Sequence, residues 1–140
     1  MVEIDGEMKK MEGLEDFHEA SWVHKRNGIY YLSYSDNHDV AGKHNQMRYA
    51  TSKSPLGPWT KFNGNPILSR KNIGINGTGH GDFFSDEKGK LYYVLHTHHS
   101  ETQVSKRRTA VISVDFNKST TGSDVPIPDF KSFHFLETKK

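Results

Sequence analysis

Short runs of β-branched and aromatic residues, each bounded by turn-forming residues, dominate the hydrophobic pattern of this 140-residue chain. Residues 20–24 and 29–35 flank Asn27-Gly28, a pair that favours a tight hairpin turn. A polar stretch then leads to residues 47–51, and a turn with two prolines leads into residues 59–62. Helical periodicity is nearly absent, so the pattern predicts an all-β domain that begins with a four-stranded antiparallel meander.

The same plan recurs at an offset of 62 positions, where five residues reappear as the same type or as another hydrophobic residue. His18, Trp22, Ile29, Tyr30 and Tyr31 correspond at that offset to His80, Phe84, Leu91, Tyr92 and Tyr93. A repeated four-stranded meander is typical of β-propeller blades; two unrelated hairpins with a chance Tyr-Tyr match are the alternative. We predict a partial β-propeller with blades at about 14–62 and 65–117, followed by a linker and a C-terminal strand or tail at 118–140.

Two blades do not close a propeller. Each blade is a small sheet with two faces to cover, and closure protects these faces and the strand edges. Apolar patches of more than a few hundred Å² rarely stay bare on a monomer. We therefore expect the chain to self-associate or to be completed by missing blades, with the segment from Phe130 to Phe135 contributing to the contact.

Charge and composition narrow the possible partners. Lysine and arginine number 19 and aspartate and glutamate 17, so the net charge is only +2 and the basic residues form no stripe. This excludes a strong electrostatic attraction to nucleic acid or to a membrane surface. The chain has no cysteine, no apolar run of about 18 residues, and no signal-peptide pattern at its start.

Several motifs occur together in a fixed order. Residues 18–35 contain a glutamate that opens a strand, a hairpin turn, and a Gly-x-Tyr-Tyr-Leu run that ends in Tyr-Ser. They are followed by Tyr-Ala-Thr-Ser and Ser-Pro-Leu-Gly-Pro-Trp, then Asn-Pro-Ile-Leu, Gly-Thr-Gly-His-Gly, and Gly-x-Leu-Tyr-Tyr-Val-x-His. Over about residues 1–116 this order resembles glycoside hydrolase family 43, which includes β-xylosidases, α-L-arabinofuranosidases, arabinanases and exo-acting xylanases. The resemblance implies the C-terminal part of a five-bladed β-propeller.

The resemblance also implies roles for individual residues. The family is inverting and uses an Asp general base, an Asp that tunes the acid, and a Glu general acid. Glu19 matches the acid, although Ala20-Ser21 follows it where the family commonly has Gly-Pro. His80 matches the axial histidine that approaches a central metal, usually calcium, directly or through water. Arg107 matches an arginine that contacts the sugar; Arg108 is its competitor, because a one-residue slip reverses the face of a strand.

The two family aspartates precede the acid by many residues, whereas only 18 residues precede Glu19 here. Asp5 and Asp16 lie in none of the matching motifs. An inverting glycosidase needs two carboxyl groups about 6.5–9.5 Å apart on opposite sides of the scissile bond. We therefore expect the isolated chain to be inactive for want of the Asp base.

Other candidates come from the residues themselves. Trp22 follows Glu19 on one strand and is the best candidate for a sugar platform, with burial in the blade core as its alternative. The glycines around His80 would let the backbone approach an ion or a sugar closely. His96, His98 and His99 suggest zinc, but their spacing fixes no third ligand.

The favoured function is hydrolysis of plant pentosans of the xylan or arabinan type. Glu19 would protonate the departing oxygen, and Arg107, Trp22 and His80 would bind the oligosaccharide or polysaccharide. The alternative is a non-catalytic fragment that binds carbohydrate or serves in assembly. Family membership suggests a secreted or periplasmic protein, although this chain carries no signal. The structure should place Glu19 and His80 at the starts of the innermost strands of two four-stranded sheets.

Overall fold

The computed structural model describes residues 2–10, 12–14, 19–36, 46–120 and 122–139, with the backbone alone for 2–4. Within these ranges the chain is nearly all β, and no helix is long and apolar enough to cross a membrane. Its two short helices are α1 (Arg70–Ile73) and a 3-10 turn (Phe130–Ser132). The strands are β1 (Val2–Ile4), β2 (Glu7–Lys9), β3 (Glu19–Arg26), β4 (Ile29–Asp36), β5 (Gln46–Ser52), β6 (Thr60–Lys61), β7 (Gly79–Ser85), β8 (Leu91–Thr97), β9 (Arg108–Asn117), β10 (Val125–Pro128) and β11 (His134–Phe135).

Two antiparallel sheets account for most of these strands. The first has the order β3-β4-β5-β6, and the second has the order β7-β8-β9-β10 with β11 also paired to β9. Strands β1 and β2 form a separate hairpin. Each main sheet is a meander in which consecutive strands pair, which confirms the predicted all-β class and four-stranded plan.

The predicted repeat holds for the second strand of each sheet but fails for the first. The turn between β3 and β4 has two residues (27–28), whereas the turn between β7 and β8 has five (86–90). Lys25 consequently lies opposite Tyr30, whereas Phe84 lies opposite the corresponding Tyr92. The predicted equivalence of Trp22 and Phe84 is therefore wrong, because the longer turn shifts the register of the first strand by three residues.

The second sheet also extends beyond the predicted limit at residue 117. Strand β10 pairs with the end of β9, from Val125 opposite Asn117 to Pro128 opposite Val114. After the 3-10 turn the chain continues along the same edge, where β11 pairs with the start of β9. The segment predicted as a linker and tail therefore supplies the fourth strand of the second sheet, because its alternating Val-Pro-Ile-Pro run is extended.

The main hydrophobic core lies between the two sheets. The first sheet and the loop after it contribute Tyr31, Met47, Tyr49, Ile67 and Leu68, and the second contributes Tyr93, Leu95, Ala110, Ile112 and Val114. The hydroxyl of Tyr31 donates a hydrogen bond to the backbone oxygen of Asp124, 2.8 Å away. The core and this bond join the two sheets, so each covers one face of the other.

His24 lies at the interface between the two sheets, where aromatic rings surround it. Its ring stacks on Tyr31 at 5.3 Å between centroids and lies 4.8 Å from Phe83 and 6.5 Å from Phe116. Both of its ring nitrogens are buried without a hydrogen-bond partner in the described structure. Burial lowers the pKa of His24 from its usual 6.5, Asp82 opposes this shift, and Arg26 reinforces it.

We predict that His24 makes the stability of this interface between the sheets decrease at acidic pH. Its pKa is lower in the folded chain than in the unfolded chain, so the unfolded chain takes up the proton first as the pH falls. Its contribution is therefore intact above pH 6.5 and decreases as the pH falls from 6.5 toward the folded-state pKa. Urea unfolding at pH 5 and pH 7.5 should show a smaller pH-dependent loss of stability in His24→Phe than in the unchanged chain. The exposed His134, changed to Phe, is the matched control; an equal effect of both substitutions would contradict the assignment.

Candidate functional site

The first strands of the two sheets begin with the same irregularity. The pairing of β3 with β4 shifts register between Glu19 and Trp22, and that of β7 with β8 shifts between Gly79 and Asp82. Within each bulge one non-glycine residue has a left-handed backbone, Ala20 with φ 53° and His80 with φ 43°. His80 thus corresponds to Ala20, and not to His18, which lies outside the described residues. Bulges of this kind redirect side chains and are frequent beside active sites.

One buried serine connects the two bulges. Ser35, at the end of β4, is fully buried and pairs with Glu19 across the first sheet. Its hydroxyl oxygen accepts a hydrogen bond from the backbone N–H of His80 in the second sheet, at 2.7 Å. Paired Cα atoms are about 5 Å apart, and the serine side chain with its hydrogen bond spans about 7 Å more. Glu19 and His80 therefore lie within about 12 Å of each other at the same end of the sheets. Glu19 opens β3 and His80 is the second residue of β7, so both lie at the starts of first strands, as the sequence predicted.

A cleft of about 390 Å³ lies beside this junction. Its walls come from the start of β3, from β7, and from the neighbouring parts of β8 and β9; the residues are Ala20, Ser21, Trp22, His80, Gly81, Asp82, Val94, Leu95, His96 and Thr109. Glu19 is partly buried and stands directly before this wall, next to Ala20. The indole of Trp22 is 48% exposed. The cleft thus joins a solvent-accessible aromatic ring to polar groups, the composition typical of a small-molecule site.

Asp82 is the site residue that sequence reasoning missed. It lines the cleft, and its Oδ1 accepts a hydrogen bond from the N–H of Phe83 at 2.6 Å. Its position directly after Gly79-His80-Gly81 is the sequence signal that marks it, whereas the family resemblance points to aspartates upstream of Glu19. The rings of His80 and His96 also meet here, 5.7 Å apart.

The two candidate arginines, Arg107 and Arg108, have different surroundings. Arg108 opens β9, and its guanidinium lies 3.3 Å from the centre of the Phe135 ring, beside a smaller cavity that includes His98 and Glu101. Arg107 directly precedes β9 and is exposed, and neither arginine lines the cleft. Contact between Arg107 and a sugar remains a prediction.

The glycines near His80 have a packing role. A Cβ atom at residue 77 would lie 2.0 Å from Cδ2 of the buried His98. One at residue 81 would lie 2.0 Å from the backbone oxygen of Val94 and 2.7 Å from Cζ of Tyr93. These contacts explain both glycines without an ion or a sugar.

The described residues do not form a calcium site by themselves. Over the ranges given above, no group of three or more His, Asp or Glu side chains is arranged to hold a metal ion. His80 offers one imidazole nitrogen, whereas calcium takes six to eight oxygen ligands.

Comparison with known proteins assigns the family. Residues 4–121 match the family model described as glycosyl hydrolases family 43. This chain belongs to glycosyl hydrolase family 43. A curated relative is a β-D-galactofuranosidase from Aspergillus niger, with 28% identity over 91% of this chain and 38% of that protein. A xylosidase/arabinosidase from Bacteroides ovatus is 50% identical over 31% of this chain and 12% of its own length.

Solved family 43 structures agree with the fold. An endo-1,4-β-xylanase from Bacteroides thetaiotaomicron has 36% identity and a TM-score of 0.67, covering 81% of this chain and 38% of that one. A thermostable family 43 glycoside hydrolase has 31% identity and a TM-score of 0.70, covering 88% of this chain and 39% of that one. The family 43 chain thus spans less than two fifths of these relatives' length, and its two sheets are a partial β-propeller.

We predict that Ser35 holds the junction of the family 43 chain together. In Ser35→Ala the N–H of His80 loses its acceptor, which should cost about 1 kcal/mol of stability and increase hydrogen exchange at that amide. Amide exchange followed by NMR measures this directly. Ser33→Ala is the matched control, because the equally buried Ser33 hydroxyl makes only a long 3.4 Å bond to the backbone oxygen of Trp22 in the same sheet. Unchanged exchange at His80 in Ser35→Ala would contradict this role.

Proposed function

We propose that this chain is the acid-bearing part of an inverting glycoside hydrolase that acts on pentose-containing plant polysaccharides of the xylan or arabinan type. The observation that carries the proposal is the junction at Ser35, which brings the start of β3 with Glu19 and the start of β7 with His80 to one cleft. Family membership and relatives named xylosidase/arabinosidase and β-xylosidase support the substrate class.

Glu19 is the proposed general acid. It is the one residue of β3 that matches the acid motif. The bulge after it lets its side chain point in a direction that the alternation of the rest of the strand does not fix. A protonated carboxyl there would donate its proton to the glycosidic oxygen as the bond to the sugar carbon breaks. The leaving group then departs as a neutral alcohol.

Trp22 and His80 are the proposed sugar contacts within the cleft. The exposed indole offers a flat apolar surface to the C–H face of a sugar ring, and the imidazole offers a hydrogen-bonding group to its hydroxyls. Arg107 would reach the sugar from the start of β9. Calcium near His80 would need oxygen ligands from outside the described residues or from water.

Inversion also requires a carboxylate base that activates water on the opposite face of the sugar. The sequence offers no family motif for that base, so we assign the base to a segment outside these 140 residues; the chain matches only 38% of the β-D-galactofuranosidase from Aspergillus niger. The competing function is carbohydrate binding without hydrolysis. The exposed Trp22 favours it for the isolated chain, because binding needs only the cleft.

We predict no turnover by the purified chain. Chromogenic β-xylosides and α-L-arabinofuranosides should be hydrolysed no faster than in buffer, because loss of one member of a catalytic unit commonly costs orders of magnitude in rate. Measured turnover that disappears in Glu19→Gln but persists in the turn variant Glu87→Gln would show that the base lies within these 140 residues.

We predict that the cleft nevertheless binds neutral xylo-oligosaccharides. Trp22 is 48% exposed and Trp59 only 4%, so sugar binding should quench or shift the emission of Trp22 alone. A fluorescence titration should saturate in the chain and in Trp59→Phe, and the response should disappear in Trp22→Phe. A response that depends on Trp59 instead would place the sugar elsewhere.

Self-association is the proposed state of the isolated chain. Strand β3 is an edge of the first sheet and exposes Trp22 and Val23, and the outer strand β10 of the second sheet exposes Ile127. Unpaired edges with exposed apolar side chains favour pairing with another chain. A second copy could therefore cover these edges.

We predict that light scattering will show a mass that rises with concentration. Val23→Lys should lower the association, because it places a charge on the exposed edge. Met8→Lys is the control, since Met8 is more exposed but belongs to the separate β1-β2 hairpin. A chain that stays monomeric throughout the concentration series would contradict the prediction.

A further inference from the structure

The cleft is lined by a single residue with a fixed charge. Of the residues that line it, Asp82 alone belongs to the Asp, Glu, Lys or Arg types, and Arg107 and Arg108 lie outside the lining. The other polar groups of the wall are two imidazoles and small hydroxyls. The lining therefore presents one fixed negative charge and no fixed positive charge, and the carboxyl of Glu19 stands directly before it.

The carboxylate of Asp82 is held by its own strand. Oδ1 accepts the N–H of Phe83 at 2.6 Å, which fixes the side chain on β7 opposite Val94. Oδ2 makes no hydrogen bond to any residue in the described ranges, and it is not among the buried unpaired atoms. One oxygen thus orients the group, and the other remains accessible to a ligand.

We propose that Asp82 is a specificity-determining residue, which makes the cleft bind neutral sugars and reject sugars that carry a carboxylate. This inference rests on the proposed function, since it requires that the cleft bind carbohydrate. A carboxylate oxygen accepts hydrogen bonds from sugar hydroxyls, and bonds to a charged acceptor are stronger than bonds between neutral groups. Trp22, in the same wall, would fix the plane of the sugar ring.

The same charge opposes an acidic sugar. Like charges about 7 Å apart near a protein surface repel by enough to lower affinity about tenfold or more. A uronic acid branch on a xylan chain bound at Trp22 would bring a like charge into the wall that holds Asp82. The selected class is therefore an unsubstituted or neutrally substituted pentose oligosaccharide.

The test compares two ligands with the same backbone, xylotriose and xylotriose carrying one uronic acid. Calorimetric or NMR titration is done at pH 8 with a chelator, so that no divalent cation enters the cleft. The chain should bind the neutral ligand at least about tenfold tighter than the acidic one. In Asp82→Asn, which keeps an oxygen for Phe83, this preference should fall below about threefold, and neutral binding should weaken about tenfold.

Asp115→Asn is the matched control, because it removes the same charge from an exposed position of β9 outside the cleft. It should leave the preference unchanged, and an equal effect there would overturn the inference by showing that only net charge matters. Asp82→Ser provides a second removal of the carboxylate, and a thermal melt confirms that each variant is folded.

The outcomes separate the inference from the proposed function. Tight binding of both ligands by the unchanged chain, or a preference that survives in Asp82→Asn and Asp82→Ser, would overturn the role of Asp82 and leave the proposed function standing. Failure of the unchanged chain to bind either ligand would overturn sugar binding by the cleft, and the specificity inference with it. Loss of the preference in high salt would support the charge mechanism, because salt screens the repulsion.

Discussion

The arrangement of the site depends on how the second sheet packs against the end of the first. The buried hydroxyl of Ser35 accepts the backbone N–H of His80 across that contact, and Ser35 itself pairs with Glu19. A hydrogen bond of this kind contributes about 0.5–1.5 kcal/mol net, so this bond favours one relative position of β3 and β7. The core from Tyr31 to Ile112 supplies the apolar contact that keeps water from competing for it.

Much of the fold follows from local sequence signals. Asn27-Gly28 specifies a two-residue turn, and the Tyr-Tyr pairs at 30–31 and 92–93 mark strands with one face in the core between the sheets. The sequence alone could not align β3 with β7, because a single repeat offset of 62 positions does not account for turns that differ in length by three residues. Strand β10 was placed outside the second blade because the polar run at 119–123 suggests a linker; after that run the chain returns to the edge of β9, where proline is tolerated in an outer strand.

Sequence motifs predict some residues of the site. The others belong to it only because folding brings them close together, and no motif marks them. Glu19, Trp22 and His80 carry recognisable sequence context; Trp22 and His80 line one cleft, and Glu19 stands directly before its wall. Asp82 joins them only because the bulge after Gly79 directs that part of β7 toward the cleft. Folding also distinguishes Arg108 from Arg107, because Arg108 packs on Phe135 from the C-terminal strand. That contact links residues 27 positions apart, so no local pattern could reveal it.

The structure places Glu19 and His80 near each other at one end of the two sheets. The chain has no cysteine, so spin labels can be attached to Glu19→Cys and His80→Cys without competing sites. Dipolar broadening of the doubly labelled chain, diluted with unlabelled chain to suppress contacts between copies, measures the separation. The account predicts strong broadening that corresponds to less than about 15 Å, because Ser35 joins the two positions. Spectra without broadening, as expected if the residues lay at opposite ends of an eight-residue strand about 25 Å apart, would contradict it.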